Sequence, residues 1–237
     1  MNLKPFLAAA IVAATPFAAS AATLIDDFTV GQGPVIDITP GGDEDFESSG
    51  DSNGDGMYDW DTRQIRANLL SAVDECGTIN CPEVRAGIES GSFVYDSSQG
   101  TESWVELRYG YDEGYDLTNT GNSFEFAFGG VGTDQAYSLR ILLTDGDNES
   151  YEWFIKDGTE SEFTVMFSDI VGEDLTDLTD ITRIDFRFSS ENVDTEALDL
   201  RISSITTPIP LPAGVLMMGT ALAGFGVMRR RQKKAAA

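Results

Sequence analysis

Short segments in which apolar and polar residues alternate occupy most of the chain between residues 22 and 207. In Arg183–Phe188 the alternation is complete, because Ile184, Phe186 and Phe188 fall on one side and the charged residues on the other. A period of two predicts a β-strand with one buried and one solvent-facing side.

Residues 104–111 show the same alternation. Their apolar side consists of Val105, Leu107, Tyr109 and Tyr111. Their opposite side consists of Trp104, Glu106 and Arg108. Residues 123–128 likewise place three phenylalanines on one side, so the chain uses this pattern repeatedly.

The pattern predicts about ten to twelve short strands separated by turn residues. The predicted strands are residues 24–30, 35–38, 64–73, 91–95, 104–111, 123–128, 136–143, 151–155, 163–167, 183–188 and 198–205. Residues 64–73 also fit an amphipathic helix, but their surroundings favour a strand. An all-β fold follows, an antiparallel two-sheet β-sandwich of jelly-roll type.

Two hairpins and two long loops complete this prediction. Residues 91–95 and 104–111 flank a polar turn, and residues 136–143 and 151–155 flank another at Asp145–Asn148. Residues 41–59 and 169–180 are rich in glycine, aspartate, serine or threonine and are predicted as loops.

The chain begins with a targeting segment. Residues 1–21 contain Lys4, then an apolar run, then the small residues Ala19-Ser20-Ala21. This order is that of a cleaved secretory signal peptide. The folded domain is therefore predicted at residues 22–207, followed by a separate C-terminal segment at residues 208–237.

The C-terminal segment has three parts in a fixed order. A proline-rich motif precedes an apolar stretch at residues 214–228, and a basic cluster follows. The motif is Pro210, Leu211, Pro212 and Ala213, and the cluster begins with Arg229, Arg230 and Arg231. Fifteen apolar residues are fewer than the roughly 20 that a spanning helix needs. An ordinary short membrane anchor is the alternative.

These three parts resemble the C-terminal sorting signal of exosortase-processed bacterial proteins, the PEP-CTERM group in its VPLPA variant. Ile209 stands where that variant usually has valine. The resemblance implies export in a Gram-negative bacterium and transient insertion in the inner membrane through this helix. It also implies cleavage by an exosortase-type enzyme and a final location at the cell surface or in the extracellular matrix.

The folded domain resembles carbohydrate-binding modules with a galactose-binding-like jelly roll. The resemblance rests on an opening Leu-Ile-Asp-Asp-Phe strand at residues 24–28, the segment at residues 177–188 and a closing strand at residues 198–205. It implies that the first and last strands are neighbours. It transfers no ligand-binding residue to this chain.

The charge of the domain excludes one class of partner. Residues 22–207 hold nine Lys and Arg against all 40 Asp and Glu, a difference of −31. Nucleic acids and anionic lipids are repelled by such a surface. Divalent cations are attracted to it, although most carboxylates of an acidic exported protein only face solvent.

One acidic loop has the spacing of calcium ligands. Asp51-Ser-Asn-Gly-Asp-Gly matches the front of a calcium-binding loop in which alternate oxygens converge. The predicted Ca²⁺ ligands are Asp51, Asn53, Asp55, Met57 through its carbonyl, and Asp59. Thr62 replaces the bidentate glutamate of an EF-hand, so a structural site is expected, similar to dockerin-like or thrombospondin-type loops. A polar turn without an ion is the alternative.

The two cysteines, Cys76 and Cys81, enclose four residues. In an oxidising compartment they are expected to form a small local disulfide. Because the loop is short, its contribution to stability is expected near the low end of about 2 to 4 kcal/mol.

The sequence offers little for catalysis. It contains no histidine, which excludes Ser-His-Asp and Cys-His chemistry and the usual zinc sites. A carboxylate pair could support glycoside hydrolysis, but no pair among 40 stands out. The protein is therefore expected not to be an enzyme, with a glycoside hydrolase as the minor alternative.

Aromatic side chains are the candidates for sugar binding, because their rings stack on the apolar faces of sugars. The candidates are Trp60, Trp104, Tyr109, Tyr111, Tyr115 and Trp153. Trp104 is expected to be exposed, since it lies opposite the apolar side of its strand. Core packing is the alternative for each of them.

These observations together predict an exported, non-catalytic, acidic and calcium-stabilised protein of the cell surface or extracellular matrix, associated with exopolysaccharide. The alternative is a carbohydrate-binding module that recognises a cell-surface or matrix polysaccharide.

Overall fold

The computed structural model describes residues 21–42, 45–50, 61–72, 81–129, 135–171, 176–191, 193 and 197–209. Within them the chain forms 13 strands, a 3-10 helix at Leu117–Asn119 and an α-helix, α1, at Phe167–Val171. The strands are β1 Ala21–Asp26, β2 Gln32–Asp37, β3 Asp45–Gly50, β4 Thr62–Ala72, β5 Val84–Ile88, β6 Phe93–Ser97, β7 Thr101–Tyr115, β8 Ser123–Phe128, β9 Tyr137–Thr144, β10 Glu149–Lys156, β11 Glu162–Met166, β12 Ile181–Ser189 and β13 Asp199–Ile209.

The strands form two antiparallel sheets, which confirms the predicted β-sandwich. The first sheet has the order β11-β8-β13-β6-β5-β2, and β1 pairs with β13 beside this path. The second sheet has the order β10-β9-β12-β7-β4-β3. The first and last strands of the domain are therefore neighbours, as the resemblance implied. The segment that also fitted a helix is a strand, β4.

The core lies between the sheets and takes one side of each strand. The predicted apolar sides of β7 and β12 both belong to it. Phe186 makes edge-to-face ring contacts with Tyr109, Phe124 and Phe126, at centroid distances of 6.1, 5.1 and 5.2 Å. Such contacts add to the stabilisation that burial of aromatic area provides.

A buried ion pair joins Asp26, the last residue of β1, to Arg63 on β4 of the second sheet. Arg63 and Asp26 are both fully buried, and Arg63 Nη1 donates to Asp26 Oδ2 at 2.7 Å. Arg63 also donates to the Gln32 side chain and the Val30 carbonyl, and the Tyr109 hydroxyl donates to Asp26. Burial raises the pKa of Asp26, although Arg63 opposes the increase.

The predicted hairpin of residues 91–95 with 104–111 is wrong, because β6 and β7 lie in different sheets. β6 pairs with β5 and β13, whereas β7 pairs with β4 and β12. Both strands alternate because each has one side on the core, and alternation does not specify the partner strand. The second predicted hairpin, β9 with β10, is confirmed.

The turn between β9 and β10 is closed by its first residue. Asp145 Oδ1 accepts the backbone N–H groups of Asp147 and Asn148 at 3.0 and 2.7 Å, and Asp145 Oδ2 accepts that of Asp177 at 2.7 Å. The hydrogen bonds from the Asp177 and Asn148 backbones lower the pKa of Asp145 to about 2. This carboxylate therefore holds its own turn and the loop before β12.

Two strands fall outside the predicted set. β3 lies within residues 41–59, which were predicted as a loop, and it pairs with β4 along six residues at the edge of the second sheet. β5 contains Ala86 and Gly87, and both residue types are depleted in strands. Backbone pairing with an established neighbour therefore creates both strands.

Several predictions concern residues outside the described ranges. These are residues 1–20, the C-terminal segment from Pro210 onwards, the calcium-like loop with Trp60, and Cys76. The signal peptide, sorting signal, calcium site and disulfide stay predictions. Among the described residues, no helix has the length and apolar character that crossing a membrane requires.

Candidate functional site

The outward side of the second sheet carries an unusual concentration of basic residues. Of the nine Lys and Arg of residues 22–207, five lie at outward positions of its central strands, and a sixth, Arg63 on β4, is fully buried. We call this surface the arginine face. Its residues are Gln64, Arg66 and Asn68 on β4, Trp104, Glu106 and Arg108 on β7, Arg183, Asp185 and Arg187 on β12, Ser138, Arg140 and Leu142 on β9, and Tyr151, Trp153 and Ile155 on β10.

Strand register arranges these residues in rows that cross the sheet. The first central row is Arg66, Glu106, Arg187, Arg140 and Trp153, each directly opposite the next. The second central row is Gln64, Arg108, Asp185, Leu142 and Tyr151. With strands about 4.8 Å apart, each row extends about 19 Å. The face is therefore long enough to contact several units of a chain molecule.

Glu106 lies at the centre of the face and is fully buried by the arginines around it. Oε1 accepts from Arg66 at 3.2 Å and from Arg108 at 2.9 Å, and Oε2 accepts from Arg140 and Arg187, both at 3.0 Å. Burial alone would raise the pKa of Glu106, but the four guanidinium groups lower it below its ordinary value. Glu106 is therefore a charged centre around which the arginines are ordered.

Asp185 is the second carboxylate of the central rows, and its side chain is also buried. Arg108 donates to both of its oxygens, from Nε to Oδ1 at 3.1 Å and from Nη2 to Oδ2 at 3.2 Å, and Arg183 Nε lies 3.3 Å from Oδ2. Burial raises the pKa of Asp185, and the nearby Glu106 carboxylate adds to the increase. Both carboxylates are thus covered by arginine.

The guanidinium groups stay partly open to solvent. The exposed fraction of the five arginine side chains ranges from 16% for Arg66 to 31% for Arg183. Burial lowers the pKa of Arg140, and the positive charge of Arg187 lowers it further. The face therefore presents accessible hydrogen-bond donors that also repel one another.

Trp104 is buried, although the sequence predicts that it is exposed. It is on the outward side, as the alternation indicated, but only 7% of it is exposed. The Arg187 guanidinium lies 3.9 Å from the centre of its ring and covers it. The expectation that Trp104 is exposed is therefore wrong, because a cation–π contact occupies the ring face that a sugar would need.

Trp153 is the exposed tryptophan of the described residues. It lies on β10 at the edge of the sheet, 38% exposed, with the Arg140 guanidinium 5.7 Å from its ring centre. Tyr151 is 57% exposed and occupies the equivalent position in the second central row. Ile155 is exposed on the same side, so β10 presents an aromatic and apolar edge beside the arginines.

The three predicted tyrosines do not lie on this face. Tyr109 and Tyr111 belong to the core between the sheets, and Tyr115 stacks on Tyr111 with a centroid distance of 4.8 Å. Trp60 and the predicted calcium ligands are outside the described residues. Within the described part of the chain, no group of three or more acidic or cysteine side chains is arranged to hold a metal ion.

Sequence reasoning missed most of the arginine face. It named Trp104 and Trp153, but not Arg66, Arg140 or Tyr151. One signal was present: in a strongly acidic chain, basic residues recur at the polar positions of alternating segments. The pairing of those segments, which brings the residues together, could not be derived from the sequence.

Solved structures with some similarity to this chain include carbohydrate-binding modules. A family 11 carbohydrate-binding module of a Clostridium thermocellum cellulosomal cellulase is 13% identical with a TM-score of 0.41, and the match covers 82% of this chain and 98% of the module. An agarase is 9% identical with a TM-score of 0.36, covering 61% of this chain and 25% of the agarase. PfGH50B is 13% identical with a TM-score of 0.37, covering 54% of this chain and 22% of PfGH50B.

This chain thus spans a quarter or less of the agarase and of PfGH50B. No protein-family model matches it, and neither does any curated protein. The TM-scores are all below 0.5, so these similarities identify neither a family nor a function for this chain.

Proposed function

We propose that this protein is an exported, non-catalytic carbohydrate-binding protein whose arginine face binds a polysaccharide across the strands. The observation that carries the proposal is the first central row. In this row the exposed Trp153 lies directly opposite Arg140, and the row continues through Arg187 and Glu106 to Arg66.

The two kinds of side chain suit the two surfaces of a sugar. A pyranose ring has an apolar face, against which an indole or phenol ring can stack. Its edge carries hydroxyl groups, which accept hydrogen bonds from the planar guanidinium fork. Trp153 and Tyr151 supply the stacking surface, and Arg140 supplies donors beside it. The carbohydrate-binding alternative is therefore preferred over a purely structural role.

The carboxylates of the face favour binding over catalysis. A glycoside hydrolase needs one carboxylic acid that protonates the glycosidic oxygen and a second carboxylate that reaches the sugar. Glu106 is fully buried with a lowered pKa, and Asp185 is buried with arginines against both oxygens. Neither carboxylate is open to a substrate, so this face does not support the hydrolase alternative.

The place of action and the role of calcium belong to the same proposal. The signal peptide and the C-terminal motif support export and exosortase-type processing, with a final place at the cell surface or in the extracellular matrix. A structural Ca²⁺ bound by the loop at residues 51–59 would stabilise the domain. A polysaccharide of the same matrix would then be the partner.

The proposal is tested by measuring the affinity of the purified protein for neutral and acidic polysaccharides by affinity electrophoresis and calorimetry. Trp153→Ala is expected to weaken binding about 10- to 30-fold, because tryptophan is among the residues that supply a large share of the affinity of a contact. Met166→Ala is the matched control, since Met166 is 37% exposed on β11 of the first sheet.

Binding that is lost in the Trp153 variant and kept in the Met166 variant supports the proposal, provided that circular dichroism shows both variants folded. Absence of binding to every polysaccharide by folded wild-type protein overturns it. Equal affinities of wild type and the Trp153 variant overturn the assignment to this face.

A further inference from the structure

The two central rows hold more positive than negative charge. Arg66, Arg187, Arg140 and Arg108 face two carboxylates, those of Glu106 and Asp185. The next row adds no charge, since Arg183 and Glu149 form an ion pair at 2.8 Å. Four positive and two negative groups leave an excess of two on the centre of the face, in a domain whose difference is −31.

Glu106 has no capacity to neutralise this excess. A carboxylate has about four acceptor positions, and Glu106 already accepts from four arginines. Arg140 donates to it from Nη2 only, although a guanidinium carries five N–H donors. Burial, and after it the positive charge of Arg187, lower the pKa of Arg140. A further carboxylate at this point would relieve that repulsion.

From this arrangement we infer that the polysaccharide is anionic and carries uronic acid carboxylates. The inference rests on the proposed function and specifies its ligand. A uronate ring stacked on Trp153 places its carboxylate beside Arg140, whose guanidinium is 5.7 Å from the indole centre. The arginine–carboxylate pair is short, charge-assisted and planar, so it distinguishes a uronic acid from a neutral sugar of the same shape.

A uronate polymer also fits the rest of the molecule. Its charges are carried on separate sugar rings, so one carboxylate can enter the positive centre while its neighbours stack on Trp153 or Tyr151. The acidic surface around the face opposes polyanions that offer no sugar ring to the aromatic edge. Charge attraction and stacking must therefore act together.

The experiment compares polygalacturonate and alginate with their ester forms, in which the carboxylates are blocked and the backbone is kept. Wild-type protein is expected to bind the free acids, to lose affinity as salt is added, and to bind the esters about 10- to 100-fold more weakly. Double-stranded DNA of equal charge is included as a polyanion without uronic acid.

Arg140→Gln removes one positive charge from the face and is designed to leave the fold intact. Glu106 keeps three arginine partners in this variant, so the domain is expected to stay folded. Binding of the free acids is expected to fall to the level of the esters, and Arg140→Lys is expected to restore part of it. Arg201→Gln, an exposed position of β13 on the first sheet, is the matched control and is expected to bind like wild type.

The outcomes distinguish a failure of the inference from a failure of the proposed function. The inference is overturned if wild-type protein binds acids and esters equally, or if both Arg140 variants bind the acids as tightly as wild type does. Carbohydrate binding itself would then remain in place. DNA that binds as tightly as the uronates also overturns it, since the face would then select charge alone. Wild-type protein that binds no acid, ester or neutral polysaccharide overturns both.

Discussion

Arg63 and Asp26 show how one residue pair can determine the position of a whole segment. Both side chains are fully buried, and each has further hydrogen-bond partners besides the other. Desolvation of two charges is costly, and it is offset only while the pair is complete. We therefore expect the pair to favour this arrangement of the segment more than it adds to net stability.

Arg63→Met keeps the apolar volume of the side chain and leaves Asp26 buried without its cation. It is expected to lower the free energy of unfolding by about 3 to 5 kcal/mol, measured by urea denaturation. The control is Arg85→Met, because Arg85 pairs with Glu89 at the surface and should contribute about 0 to 1 kcal/mol. Equal losses in the two variants would contradict the role of the buried pair.

At the scale of elements, the loop between β10 and β11 depends on a glycine. Gly158 has a φ of +79°, and a Cβ atom there would lie 2.0 Å from the Gln135 carbonyl oxygen. Gly91, between β5 and β6, has a φ of +73° and no atom within 4 Å of that point. The two positions thus share a left-handed backbone and differ in the space around it.

Gly91→Ala is expected to cost about 1 to 2 kcal/mol, the cost of a left-handed conformation for an L-residue. Gly158→Ala is expected to cost more, because the backbone at Gln135 must also move. Urea denaturation of both variants gives the comparison. A Gly158 variant as stable as the Gly91 variant would show that the loop adjusts without cost.

The elements also show what sequence patterns can and cannot predict. Alternation in β7 and β12 predicted correctly which side chains face the core, because burial of one side forces a period of two. It failed for β6 and β7, since a local pattern contains no information about the neighbouring strand. The arginine face depends on the pairing of β12 with β7 and β9 and of β7 with β4. For that reason its residues could be predicted one by one, but not their arrangement on one face.

For the whole molecule, the uneven distribution of charge determines the response to acid. Mutual repulsion of 40 acidic residues decreases as pH falls, which favours the folded state. Glu106 acts in the opposite sense: its pKa in the folded state is below the ordinary 4.5, so the unfolded state takes up the proton first. Its contribution is present above that value and is lost as pH falls through its folded pKa.

Glu106→Gln is therefore expected to be less stable than wild type by about 3 to 5 kcal/mol near neutral pH, because four arginines lose their common partner. The difference in melting temperature between the two proteins is expected to shrink as pH falls from about 5 to about 3. Thermal denaturation across this range measures it. A difference that stays constant with pH would contradict the assignment of a charged Glu106.

The pairing of β1 with β13 brings the two ends of the domain to one place, where the Thr207 hydroxyl lies 3.5 Å from the Thr23 carbonyl oxygen. The two ends of the domain are therefore close together, and the domain adds almost no length between them. A force that pulls these two ends apart would therefore act first on the pairing of β1 with β13, which lies directly between them.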